Sequence, residues 1–228
     1  DEDLRSLATF DVDANGAPDV IMGMQTITVI LMNDGTGALS YQNGNCVDHG
    51  AYDIAVADID GNGDEEWVLL GGGAVSIAHP DAFGGPCLEV DTLPLSITTR
   101  HVVAFDFDGD GDDDLAVSGN GDEVAILRSD DGDLSLVTTL LHAASPTGLA
   151  SGDVDQDGNA DLIAVQPGYA NIWFGDGVGG FGNVARVPCA EFGGGAAVAD
   201  LDGDGAPDLA CGRTQLHVHL NRFLDCDD

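Results

Sequence analysis

The chain repeats an acidic nine-residue segment five times, and each copy carries side-chain oxygen atoms at alternate positions. The segments are Asp11–Asp19, Asp58–Glu66, Asp106–Asp114, Asp153–Asp161 and Asp200–Asp208. Their first residues are separated by 47, 48, 47 and 47 residues. Carboxylates at this spacing let one tight loop wrap a hard cation, and calcium takes roughly six to eight oxygen ligands. The segments therefore predict five calcium-binding loops, one in each repeat.

We number each segment from 1 to 9 and assign ligand atoms by position. Positions 1, 3, 5 and 9 supply side-chain oxygens, position 7 supplies its backbone carbonyl, and position 6 is always glycine, where the chain must turn sharply. The predicted ligands are Asp11, Asp13, Asn15, Ala17 and Asp19 in loop 1; Asp58, Asp60, Asn62, Asp64 and Glu66 in loop 2; Asp106, Asp108, Asp110, Asp112 and Asp114 in loop 3; Asp153, Asp155, Asp157, Asn159 and Asp161 in loop 4; and Asp200, Asp202, Asp204, Ala206 and Asp208 in loop 5. Because Asn15 and Asn62 replace a carboxylate, loops 1 and 2 are expected to bind calcium more weakly than loops 3, 4 and 5.

Other interpretations of the loops fit less well. An EF-hand needs a glutamate at position 12, whereas every loop here has an apolar residue or a cysteine there. Magnesium prefers octahedral geometry and retains its waters. Acidic turns without a metal would leave several carboxylates repelling one another at close range. Calcium, one ion per loop, is therefore the expected cofactor.

Short apolar segments flank each loop and predict the elements that hold it. In repeat 3, for example, Val102–Phe105 precedes the loop, Leu115–Val117 follows it, and Val124–Leu127 comes next. Such short runs without a helical period favour buried strands. Four antiparallel strands per repeat predict an all-β, five-bladed β-propeller, because radial closure protects sheet edges. An open β-solenoid is the less favoured alternative.

The five repeats fill the chain and predict one domain, residues 1–228. The expected blades are approximately residues 1–47, 48–95, 96–142, 143–189 and 190–228. The chain ends 28 residues after Asp200, so the last blade is expected to have three strands.

The order of these features resembles the FG-GAP/VCBS repeat family. An apolar strand, the motif Asp-x-Asp-x-Asp/Asn-Gly-x-x-Asp, a second apolar strand and a glycine-rich turn ending in phenylalanine (Gly175 to Phe181) occur in that order. The family includes the calcium-bearing blades of integrin α-subunit propellers, and the resemblance implies structural calcium and a protein-binding face. Propellers of this family commonly have seven blades, whereas this chain has five repeats.

The charge balance excludes two classes of partner. The chain has 41 acidic residues against six arginines and no lysine, and the acids outside the loops alone outnumber the arginines. Such a surface repels nucleic acid and anionic membranes. No run of about 18 apolar residues occurs to span a membrane. We expect a monomeric domain that neither binds nucleic acid nor inserts into a membrane.

The cysteines predict two disulfides between neighbouring repeats. Cys46 and Cys189 occupy similar positions in repeats 1 and 4, and Cys87 and Cys226 occupy similar positions in repeats 2 and 5. This parallel predicts the pairs Cys46–Cys87 and Cys189–Cys226 and leaves Cys211 as a buried free thiol. Disulfides indicate an oxidising compartment, so the chain is expected to be secreted, periplasmic or on the cell surface.

The remaining candidate functional residues lie away from the loops. Arg5 and Arg100 both precede their loop by six residues, and Tyr52 holds the equivalent place in repeat 2. An arginine pair can bind a carboxylate, although ordinary strand-end residues are the simpler interpretation. No nucleophile elbow, phosphate loop or zinc motif occurs, so no enzyme is expected. We predict a protein-binding adhesion or scaffold module, with a glycan-binding lectin or a non-catalytic structural module as alternatives.

Overall fold

The computed structural model describes residues 3–41, 50–79, 90–141, 144–191 and 193–221. These residues form nineteen β-strands and no helix, and the strands pair antiparallel in five sheets of four, four, four, four and three strands. The sheets contain β1 (Leu4–Phe10), β2 (Asp19–Met24), β3 (Thr28–Asn33) and β4 (Leu39–Tyr41); β5 (Asp53–Ala57), β6 (Glu66–Gly71), β7 (Ala74–Ala78) and β8 (Val90–Pro94); β9 (Thr99–Phe105), β10 (Asp114–Gly119), β11 (Glu123–Arg128) and β12 (Ser135–Leu141); β13 (Gly148–Gly152), β14 (Asp161–Gln166), β15 (Tyr169–Gly175) and β16 (Phe181–Pro188); and β17 (Gly195–Ala199), β18 (Asp208–Gly212) and β19 (Leu216–His219).

The five sheets are the blades of a β-propeller, as the sequence predicted. Within each blade the strands lie side by side in chain order. The fifth blade has three strands among the described residues, which also agrees with the prediction. No helix in the described part of the chain is long and apolar enough to cross a membrane.

The chain divides into two compact units, Asp1–Val102 and Val103–Asp228. The prediction of a single domain stays a prediction. In the first unit, the facing sides of blades 1 and 2 enclose a core that includes Ile21, Ile30 and Trp67. In the second unit, two such cores pack blade 3 against blade 4 and blade 4 against blade 5.

The burial of the strands follows their place in the blade. Every residue of β6, β10 and β14 is buried, whereas the outer strand β12 is almost entirely exposed. Strands covered on both faces read as continuous apolar runs, which is why apolar composition alone could predict the second strands. Each second strand begins with position 9 of the acidic loop, so the core fixes one end of the loop directly.

Candidate metal centre

The acidic loop has the same backbone form in all five blades. It joins the first strand to the second, and its position 6 glycine has φ between 87° and 104°. Position 4 is also left-handed: it is glycine in three blades, Ala14 (φ 54°) in blade 1 and Gln156 (φ 60°) in blade 4. This conformation costs a residue with a Cβ about 1–2 kcal/mol. Position 4 is a second turn residue, and the three glycines there were the signal that sequence analysis missed.

The carboxylate at position 9 ties the loop to two other parts of its blade. This side chain is at most 2% exposed in every blade. One of its oxygens accepts the position 2 backbone N–H at 2.8 to 3.0 Å in all five blades. In four blades the other oxygen accepts an N–H at the end of the third strand, at 2.6 to 3.0 Å, from Asn33, Ser129, Gly175 or Asn221. Sequence analysis assigned this residue only a role as a metal ligand.

The other loop side chains also accept backbone hydrogen bonds. The position 1 carboxylate accepts the N–H of the position 6 glycine in every loop, at 2.7 to 3.1 Å. The position 5 oxygen accepts the N–H of position 7 in every loop, also at 2.7 to 3.1 Å. These bonds hold the side chains in place without any ion, because an ionised carboxylate accepts several hydrogen bonds.

The predicted ligands converge in at least three loops. Carboxylate oxygens from positions 1, 3 and 9 lie within 4.8 Å of one another in each of three groups: Asp11, Asp13 and Asp19; Asp106, Asp108 and Asp114; and Asp153, Asp155 and Asp161. In blade 2 the corresponding group is Asp60, Glu66 and His79. Coordination of an ion by any of these groups, by the position 7 carbonyl and by the position 5 side chain stays a prediction.

Burial and crowding raise the pKa of the central carboxyl groups. Burial raises the pKa of Asp114 to about 6, and the nearby carboxylates of loop 3 add to the shift. Burial likewise raises the pKa of Asp161 to about 6. The pKa values of Glu66, Asp108 and Asp155 shift upward for the same first reason. The ionised loops therefore carry an electrostatic cost that a bound cation would relieve.

Loop 3 contains a buried carboxylate oxygen atom that a bound cation could contact. The Asp108 side chain is 7% exposed, and its buried Oδ1 accepts no hydrogen bond of ordinary geometry from the described residues, although burial raises the pKa of this carboxyl group more than the nearby Asp110 N–H lowers it. A buried acceptor without a partner costs free energy that a ligand can recover. An all-oxygen donor set with such an atom suits a hard cation such as calcium.

Two basic side chains reach the loop carboxylates, and sequence analysis identified neither. The guanidinium of Arg128 places Nε 2.7 Å from Asp108 Oδ2 and Nη2 3.1 Å from Asp110 Oδ2. In blade 2, His79 Nδ1 lies 3.8 Å from Glu66 Oε1. Both residues follow from the strand register, which places them directly opposite position 9 at the end of the third strand.

The disulfide predicted for Cys189 is wrong. Cys189 pairs with Cys211, and their Cα atoms lie 5.9 Å apart. Cys211 lies on β18, whose side chains pack against blade 4 in the same core that contains Cys189. The sequence argument matched positions along the repeats, whereas the pairing depends on how neighbouring blades face each other. Cys211 is buried as predicted but is not free. Cys226 lies outside the described residues, as do Cys46 and Cys87, whose disulfide stays a prediction.

Arg5, Tyr52 and Arg100 come together at the opposite end of the first strands from the acidic loops. The guanidinium carbons of Arg5 and Arg100 lie 4.0 and 4.7 Å from the centre of the Tyr52 ring. The adjacent Asp53 accepts hydrogen bonds from Ser6 Oγ at 2.9 Å and from the Val102 N–H at 3.1 Å. We refer to Arg5, Tyr52 and Arg100 as the arginine–tyrosine cluster.

The fold and the loops together define a β-propeller in which every blade carries an acidic loop between its first and second strands. Residues 106–164 and 153–211 match the family model of the FG-GAP-like repeat. The chain therefore contains FG-GAP-like repeats, as the sequence pattern predicted. The sequence has no significant match among curated proteins.

Solved structures with a similar fold include proteins that bind quite different ligands. A lectin of Agrocybe aegerita that recognises non-reducing terminal N-acetylglucosamine is 20% identical, with a TM-score of 0.60. BBS1N, solved in complex with ARL6DN, is 14% identical, with a TM-score of 0.65. The alignments cover 95% and 96% of this chain but 63% and 61% of those chains. At this identity the likeness establishes the fold alone.

Proposed function

We propose that the chain is an extracytoplasmic, calcium-stabilised β-propeller whose function is to bind a protein ligand rather than to catalyse a reaction. The main support for calcium is the convergence of the loop carboxylates, which in loop 3 includes the buried Asp108 Oδ1 without a hydrogen bond of ordinary geometry. The repetition of one loop form in five blades extends the same argument to the whole chain. The Cys189–Cys211 disulfide supports an oxidising compartment.

Calcium would act on the fold rather than on a substrate. Positions 1, 3, 5 and 9 would hold each ion, and the ion would neutralise charge that burial makes costly. When free calcium is about 100 times the dissociation constant, each site stabilises the folded state by roughly 2.7 kcal/mol. Several occupied sites would together rival the whole stability of an ordinary domain.

Thermal unfolding in calcium and in chelator tests this role. The melting temperature is expected to fall strongly in chelator and to return with calcium but not with an equal concentration of magnesium. Asp157→Asn in loop 4 should weaken the calcium response. The matched control Asp122→Asn, an exposed acid outside the loops, should leave it intact. Equal melting temperatures in calcium and chelator would refute the proposal.

The arginine–tyrosine cluster is the surface we propose for the protein ligand. A third of the six arginines gather here in a chain with a formal net charge of −35. Among the described residues, no carboxylate oxygen lies close enough to form a salt bridge with Arg5. Guanidinium groups recognise carboxylates through paired hydrogen bonds, so an acidic segment of a protein is the favoured ligand. Since two guanidinium groups already lie over the Tyr52 ring, the ring orders the arginines instead of offering a platform for a sugar.

Binding to protein and glycan arrays in millimolar calcium tests this assignment. Protein ligands captured by the native chain should be lost with the double variant Arg5→Ala, Arg100→Ala. The control Arg213→Ala removes an exposed arginine and should bind normally. If the double variant still binds the same proteins, the arginine–tyrosine cluster is not the ligand-binding surface. Saccharide ligands would favour the lectin alternative, and no ligand on either array would favour a structural module of a larger protein.

A further inference from the structure

In blade 3 a positively charged side chain, that of Arg128, contacts the acidic loop. Arg128 lies at the end of β11, and its guanidinium contacts Asp108 and Asp110, two predicted calcium ligands. The positive charge of Arg128 therefore partly neutralises two carboxylates of this loop.

The position of Arg128 explains why it reaches the loop. Residues directly opposite each other on antiparallel strands place their side chains on the same face. The register places Arg128 opposite Asp114, the position 9 residue of loop 3. In blades 1, 4 and 5 the equivalent residue is apolar: Met32, Phe174 or Leu220. No calcium-ligand pattern predicts this difference, because it lies outside the nine-residue loop.

The contact between Arg128 and the loop carboxylates lies at the surface, so it can break without a change in the core. The Arg128 side chain is 47% exposed, so its guanidinium can move into solvent without disturbing the core. Calcium ligated by Asp108 Oδ2 and Asp110 Oδ2 would occupy the space next to a second positive charge. The two cations therefore exclude each other at these oxygens, although Asp108 Oδ1 remains open to an ion.

We propose that Arg128 is an internal counter-cation that competes with calcium for loop 3. It holds the loop together when calcium is scarce and makes loop 3 a weaker calcium site than loops 4 and 5. This inference rests on the proposed calcium binding. It also revises the expectation from the sequence, in which loops 3, 4 and 5 were equivalent because each has four carboxylates.

The variant Arg128→Met tests the competition, because methionine is the native residue at this position in blade 1. In calcium-free buffer the variant should melt at a lower temperature than the native chain. In a calcium titration, one site should gain affinity by about twofold to fivefold, since an exposed ion pair of modest strength no longer competes. The matched control Arg213→Met makes the same chemical change on an exposed turn and should alter neither measurement.

The two measurements separate competition from a purely structural ion pair. A structural ion pair would make Arg128→Met less stable by the same amount with and without calcium, and unchanged calcium affinity would overturn the inference. Arg128→Gln, which keeps hydrogen-bonding groups but not the charge, should change calcium affinity in the same direction and serves if the methionine variant fails to fold. A native chain that shows no calcium response at all would instead refute the proposed function.

Discussion

Replacing Asp161 with alanine tests whether position 9 stabilises the blade independently of calcium. Asp161 is 0% exposed and accepts N–H groups of Val154 at 2.8 Å and Gly175 at 3.0 Å. The substitution leaves both backbone N–H groups without an acceptor, which costs about 2–6 kcal/mol of unfolding free energy in total. Relief of the buried charge offsets up to about 3 kcal/mol, because the pKa is raised from 3.8 to about 6. Taking the middle of the first range against the full offset, we expect calcium-free Asp161→Ala to lose at least about 1 kcal/mol of unfolding free energy at pH 7.

Chemical denaturation followed by tryptophan fluorescence gives this free energy in calcium-free buffer and in calcium. The control is Asp157→Ala, whose exposed side chain accepts the Asn159 N–H within loop 4. In calcium-free buffer the control should change the free energy by less than about 0.5 kcal/mol. In calcium it should lose much of the roughly 2.7 kcal/mol that one site contributes at about 100 times its dissociation constant. If both variants are destabilised only in calcium, position 9 acts as a metal ligand, and its hydrogen bonds to the backbone do not stabilise the blade.

Three further predictions concern pH, the disulfide and the turn. Because burial raises the pKa of Asp114 and Asp161 to about 6, the calcium-free folded state binds more protons than the unfolded state between about pH 4 and 6. The contribution of these groups to stability therefore falls as pH rises through that window, and urea denaturation across it should show the loss; saturating calcium should reverse the trend. Mass mapping of an unreduced digest should recover a Cys189–Cys211 peptide pair, and a Cys189–Cys226 pair would contradict the structure. Ala14→Gly, at φ 54°, should raise unfolding free energy by about 0.5–1 kcal/mol, and a decrease would show that the turn carries no strain.

The sequence predicted the blades because its strongest signals are local and repeated. Position 6 glycine and the flanking apolar runs recur in phase five times. Second strands such as Leu162–Val165 are buried on both faces, so their composition alone revealed them. The short last blade followed from counting residues after Asp200.

The sequence could not reveal contacts between segments distant in the chain. Arg128 meets Asp108 only because β11 pairs with β10 in one register. Cys189 meets Cys211 because a middle strand of one blade packs against its neighbour. The second hydrogen bond of position 9 depends on where the third strand ends. The arginine–tyrosine cluster was an exception, because its members occupy equivalent places at the start of the first strands.

The number of calcium ions bound to each chain tests the account most directly. Native mass spectrometry across a calcium titration counts the ions without assuming any effect on stability. The account predicts one ion per acidic loop at saturation, and the loss of one ion when Asp153 and Asp155 are both replaced with alanine. A chain that remains free of calcium at millimolar concentration, or a count unchanged by that double variant, would contradict the account.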